Sequence, residues 1–142
     1  MKNENLEILK LPLIYYLIGI IGFLGVIIFG IQQLFTRESN QWIGIIIFVL
    51  IFGVLSLMII LLSKFYEIKI SEKIITQRTI FGIEKKIMWS NIEKVSFNKF
   101  SLELTISDKS NKIKVHSHLN GFERVISEIE RKTKIKRTEF GL

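Results

Sequence analysis

The chain has no cysteine and no alanine, one proline, one aspartate and two histidines among its 142 residues. Without cysteine, a disulfide framework and a thiolate metal site are both excluded. The one aspartate, Asp108, falls among the turn formers Ser107–Asn111. The histidines, His116 and His118, would share one strand face if a strand ran through both. No Cys, Asp or Glu lies adjacent to them, whereas a metal site needs three or four ligands. No phosphate-cradling glycine loop and no serine elbow occurs. These absences argue against an enzyme, and no cofactor or metal is expected. The scarcity that organises the rest is local: two long stretches contain no charged residue at all.

Hydrophobic residues make up 49% of the chain and charged residues 23%, a combination that suits segregation better than one uniform globule. Residues 1–64 hold four basic and three acidic side chains, and residues 65–142 hold sixteen and ten. The second part therefore carries +6 of the net +7. The first uncharged stretch, 11–34, has 24 residues; at about 1.5 Å per residue it reaches roughly 36 Å, enough for a bilayer core of about 30 Å. The second covers 42–62, with Ser56 its single hydroxyl. In lipid the backbone must satisfy itself, so both read as transmembrane helices. The first is too long for a signal-peptide core and lacks a cleavage site after it. Pro12 suits a first helical turn. The connection 35–41 is too short to fold separately, which makes an antiparallel hairpin.

Orientation follows from Lys and Arg at the helix ends. The connection holds only Arg37. Lys2 and Lys10 precede the first helix, and Lys64, Lys69, Lys73 and Arg78 follow the second. Six against one places both termini in the cytoplasm, with residues 35–41 external. The expected location is the cytoplasmic membrane, as a multi-pass protein. Gly19, Gly22, Gly25 and Gly30, with Gly44, Gly53 and Ser56, suit close packing inside the hairpin better than a homo-oligomer seam, because their spacing is not a clean GxxxG. No ionisable group lies inside either helix to serve a proton relay or ion path.

From Phe65 the hydrophobic period becomes two. Tyr66, Ile68 and Ile70 alternate with charged and polar residues, as do Leu102, Leu104 and Ile106, and then Ile113 and Val115. Six strands are expected near 65–70, 74–80, 83–89, 92–98, 101–107 and 112–116, with a short seventh at 117–119. Phe122, Val125, Ile126 and Ile129 then fall on one face of a helix. Asn120 and Glu123 make a capping-box-like pair before it. Trp89 is expected on the apolar face of a strand, in a core with Ile87, Leu104, Phe122 and Ile126. One helix face would plug the open end of a strongly bent antiparallel sheet or barrel.

The segments Tyr66-Glu67-Ile68, Ile75-Thr76-Gln77-Arg78, Trp89-Ser90-Asn91-Ile92-Glu93-Lys94-Val95 and His118-Leu119-Asn120-Gly121-Phe122-Glu123 resemble those of bacterial pleckstrin-homology (PH)-like domains. The order of elements is similar to that of small members with two transmembrane helices before the domain. The resemblance implies a PH-like domain over 65–134; a cytoplasmic segment, 1–10, is expected before the first helix and a basic tail, 135–142, after the domain. It also implies a scaffold for lipid, peptide or protein contacts. Relatives that bind phosphoinositides carry paired basic residues just before the position of Arg78; Thr76 and Gln77 stand there. The expected function is thus a membrane-anchored adaptor presenting a protein- or peptide-binding surface at the inner leaflet. The alternative is a structural subunit packed into a larger complex through its hairpin. The short junction after Leu62 puts Lys64, Lys69 and Lys73 beside the bilayer, where nonspecific contact with anionic lipid is expected. The run Arg131–Arg137 reads either as a solvated tail or as a further membrane contact. Nucleic acid is not an expected partner, because the aromatics occupy apolar strand and helix positions and are not interleaved with exposed basic groups.

Overall fold

A computed structural model of the chain describes residues 6–36 and 42–141. They form two compact units: Leu13–Lys64, and a domain joining the residues up to Pro12 to those from Phe65 onward. The second unit therefore closes on the N-terminal segment, which had been expected to lie outside it.

The first unit is a helical hairpin. Helix α1 is Leu13–Phe35 and α2 is Trp42–Phe65. Both are long and apolar enough to cross a membrane. Pro12 precedes α1 and is not in its first turn, and α2 continues through Ser63 and Lys64 to Phe65. Of the expected external connection 35–41, residues 37–41 lie outside the described residues, as does Lys2. The two helices meet at small residues. A Cβ on Gly19 would stand 2.7 Å from Ile60 Cγ1, and one on Gly22 would stand 2.9 Å from Ser56 Oγ. Packing inside the hairpin thus uses these positions, while Gly25 and Gly44 face open space.

The second unit has two antiparallel sheets. The first, in the order β1-β2-β3-β4, consists of Glu7–Lys10, Glu67–Ile70, Ile74–Arg78 and Glu84–Met88. The second, β5-β6-β7, consists of Lys94–Asn98, Glu103–Ser107 and Lys112–His116. Helix α3 is Phe122–Lys132. Each strand from β2 to β7 lies within an expected one, but the expected single bent sheet is two sheets. The ladder is interrupted where the chain enters a 3₁₀ turn, Trp89–Asn91, so Trp89 belongs to that turn and not to a strand. Strand alternation still directs its ring inward, and it is buried. Its Nε1 donates to the Ser71 carbonyl at 3.0 Å.

Residues 117–119 turn instead of forming a seventh strand. The seventh strand is β1, which precedes the helices and pairs with β2 from Glu7↔Ile70 to Lys10↔Glu67. Four residues are too few to display a period of two, so Glu7–Lys10 carries no strand signal in the sequence. The expected Asn120 cap is also replaced. The Asn120 backbone N–H donates to Lys10 O at 3.0 Å, and Gly121 is the N-cap, with φ 88° and no side-chain cap. Gly121 is required twice, by that left-handed backbone and by proximity, since a Cβ there would stand 2.8 Å from Leu9 Cδ2.

The core contains Ile68, Ile75, Ile87, Leu104, Ile106, Ile113, Val115, Val125, Ile126 and Ile129, all essentially inaccessible. Each such side chain contributes about 1.5–3 kcal/mol by leaving water. The expected core group Trp89, Ile87, Leu104, Phe122 and Ile126 is entirely buried. Between the sheets, a side-chain amide replaces the missing ladder. Gln77 Nε2 donates to Lys114 O at 3.0 Å, and Lys114 N–H donates back to Gln77 Oε1 at 3.2 Å.

The expected tail is folded too. Arg137–Phe140 forms a 3₁₀ turn against β5, and Phe140 is buried. The Arg137 guanidinium makes two bonds to Glu123, at 2.9 and 3.0 Å.

Candidate binding surfaces

Two ends of the domain are chemically distinct. One carries both junctions with the helices. Leu11 and Pro12 separate β1 from α1, and Tyr66 alone separates α2 from β2. Strand register places Lys10, Glu67, Arg78 and Glu84 in one row across the first sheet at this junction end. Glu67 is its electrostatic centre, with Lys69 Nζ at 3.1 Å, and Lys10 and Arg78 both at 3.7 Å. Burial pushes the Glu67 carboxyl up. Its ion pairs, Lys69 first, outweigh that and hold it below the ordinary carboxylate range.

Tyr66 ties the junction to the second sheet. Its hydroxyl donates to the Lys114 carbonyl, and its ring meets His116 edge-on, 5.5 Å between centroids. Burial drives its phenol pKa strongly upward, so it remains a donor. His116 Nε2 lies 3.4 Å from Glu103. The strand ends at His116, so His118 occupies the following turn and the expected shared face does not extend to it.

The opposite end is organised by Glu128, which is buried on α3. Arg131 donates to it at 2.7 Å, with Lys132 at 3.2 Å and Arg124 at 3.3 Å. Burial pushes this carboxyl up, but the hydrogen bonds and charges of Arg131 and Lys132 prevail and hold it low. Lys132 Nζ also donates to the carbonyls of Ser71 and Glu72 at 2.8 and 2.9 Å. Two charges of the run Arg131–Arg137, Arg131 and Lys132, are therefore paired with Glu128 on α3.

A groove of about 610 Å³ runs between this part of α3 and the start of β1, bounded by Leu6, Glu7, Ile70, Glu72, Arg124 and Arg131. β1 is the outer strand of its sheet. Because Lys10 O points outward to Asn120, strand alternation turns the N–H and C=O of Ile8 outward as well. Among the described residues no backbone group bonds them, and the Ile8 side chain is half exposed.

The three lysines expected at a membrane surface are not brought together. Lys64 is exposed at the end of α2. Lys69 is half-buried between Glu67 and Glu84. Lys73 is exposed in the β2–β3 turn, at the end of β2 remote from the α2 junction. Sequence reading missed the β1 edge and the Gln77 clamp. In the sequence pattern Gln77 shows only that no basic residue immediately precedes Arg78. No group of three or more His, Cys, Asp or Glu placed to hold a metal occurs among the described residues.

No family model, curated protein or solved structure matches the chain.

Proposed function

We propose that this chain is a membrane-anchored, PH-like binding module that works by capture and not catalysis, taking an extended peptide segment of a partner protein onto the outer edge of β1. The observation that carries the reading is the outward backbone of Ile8 beside the groove under α3. An added strand would find main-chain partners at Ile8, and side-chain partners of both signs in Glu7, Glu72, Arg124 and Arg131. Strand addition of this kind derives affinity from the main chain and specificity from flanking side chains.

The membrane part of the reading is supported by β1 as well. Hydrogen bonding between β1 and β2 requires residues 7–10 and the chain after Phe65 to share one compartment. A chain that leaves that compartment and returns crosses an even number of times, as two spanning helices would. The basic excess on this side favours the cytoplasmic face of the cell membrane.

The test is selection of random peptides on the full chain in nanodiscs, against Ile8→Pro and Arg124→Glu/Arg131→Glu counterparts. Proline at position 8 removes an outward N–H and leaves the β1–β2 bonds intact. Peptides enriched on the unaltered protein and lost on Ile8→Pro support the reading. Enrichment indifferent to both changes removes it.

A further inference from the structure

Two hairpin tips lie at the junction end of the domain, and each carries an apolar side chain that the fold leaves in the open. The β3–β4 tip follows Arg78, which shares its row with Lys10 and Glu67. In it Phe81 is 81% exposed and Ile83 58%. The β5–β6 tip lies beside His116, through the register Asn98↔Glu103↔His116 and the bond from Ser117 N–H to Leu102 O. His116 in turn packs against Tyr66, the residue next to α2. In this tip Phe100 is 97% exposed and Leu102 39%.

These tips differ from the turns at the other end, Ser71–Lys73 and Asp108–Asn111, which carry serine, asparagine and charge. Scattered apolar exposure is ordinary, but two phenylalanines at one end of a small domain are not scattered. Backbone geometry adds a second observation. Leu102 has φ 53° and is the one non-glycine residue with positive φ among those described. Glycine or asparagine adopts that conformation at lower cost, so an apolar leucine is held there against local preference. Lys99 adjoins Phe100 in the chain, and Arg78 closes the strand that leads into the Phe81 tip. Aromatic and basic residues in that arrangement suit the headgroup layer of a bilayer.

We propose that the tips Phe81–Ile83 and Phe100–Leu102 form a two-pronged apolar foot that enters the interface of the bilayer crossed by α1 and α2. The proposal rests on the reading of those helices as spans. It requires apolar depth and not a particular headgroup. Within the domain, the tips lie at the end from which both junctions leave, and the β1 groove lies at the other end.

The chain has no native cysteine, so single nitroxide labels can be placed in the full-length protein in nanodiscs. Ile83→Cys and Ser101→Cys report the tips with both phenylalanines intact. Lys109→Cys reports the opposite end, and Ile47→Cys reports α2. Collisions with oxygen and with a water-soluble nickel chelate separate lipid from water and from burial in protein. The tip labels should lose nickel accessibility and gain oxygen accessibility toward the values at Ile47, while Lys109 stays aqueous. Phe81→Ser/Phe100→Ser, in exposed positions, should return both tip labels to water. Tip labels as aqueous as Lys109 beside a lipid-facing Ile47 overturn the foot and leave the spans standing. An aqueous Ile47 overturns both. Tip protection that persists in the double-serine background also overturns the foot.

Discussion

Trp89 and Lys132 converge on one carbonyl oxygen. The Trp89 indole N–H and the Lys132 ammonium both donate to Ser71 O, at 3.0 and 2.8 Å, and the ammonium lies 4.8 Å from the centre of the indole ring. The β2–β3 turn, the 3₁₀ turn and the end of α3 are therefore fastened at one point, which joins the first sheet to the helix.

That convergence sets the outcome for Trp89→Ala. Removing a buried aromatic costs about 3–5 kcal/mol, and a small domain has roughly 5–15 kcal/mol in all. A loss of about 3–5 kcal/mol, a large fraction of that stability, is expected, measured by denaturant titration of the full chain in detergent. Trp89→Phe retains most of the buried area and loses one hydrogen bond, so a loss nearer 1 kcal/mol, apart from any residual cavity, is expected.

Acid should unfold the domain through Glu67 and Glu128. Both carboxyls are held below their ordinary value of 4.5 in the folded protein. The unfolded chain therefore binds more protons than the folded one as pH falls below that value. Their stabilisation is complete above the unfolded pKa and is lost as pH drops through the folded one. Glu128→Gln should flatten the acid limb of a stability–pH curve, and the melting temperature recorded from pH 7 to pH 3 reads it directly. An unchanged slope would remove Glu128 from this role.

Phe140→Ala should destabilise the domain as a core change, by about 3 kcal/mol or more. A solvated tail would make the same change silent. Urea unfolding midpoints of the variant and of Thr138→Ala, an exposed neighbour, distinguish the two.

Within the hairpin, Gly19→Leu should disrupt helix packing, because its Cβ would press on both the side chain and the backbone nitrogen of Ile60, the latter at 3.1 Å. Gly25→Leu opens onto empty space and should be accepted. Protease resistance of the hairpin in detergent gives the comparison. Sensitivity at Gly25 equal to that at Gly19 would instead indicate a further partner on that face.

The sequence by itself determined the segregation of apolar and charged residues, two helices long enough for a bilayer, strands β2 to β7 and the buried face of α3. Each of these is written in a local period or a run length that neighbouring residues supply among themselves. Tertiary structure decided what no local period contains. The four residues of β1 become a strand because β2 offers them a ladder and because Gly121 admits Leu9. The Arg131–Arg137 run reads as loose charge until Glu128 and Glu123 are brought to it across turns of helix and chain. Gln77 reads as a missing cation, yet in the fold it joins two sheets through Lys114. The exposed edge at Ile8 and the placing of the Phe81 and Phe100 tips at one end belong to the same class, because both depend on which strand ends lie side by side, and only the folded chain settles that.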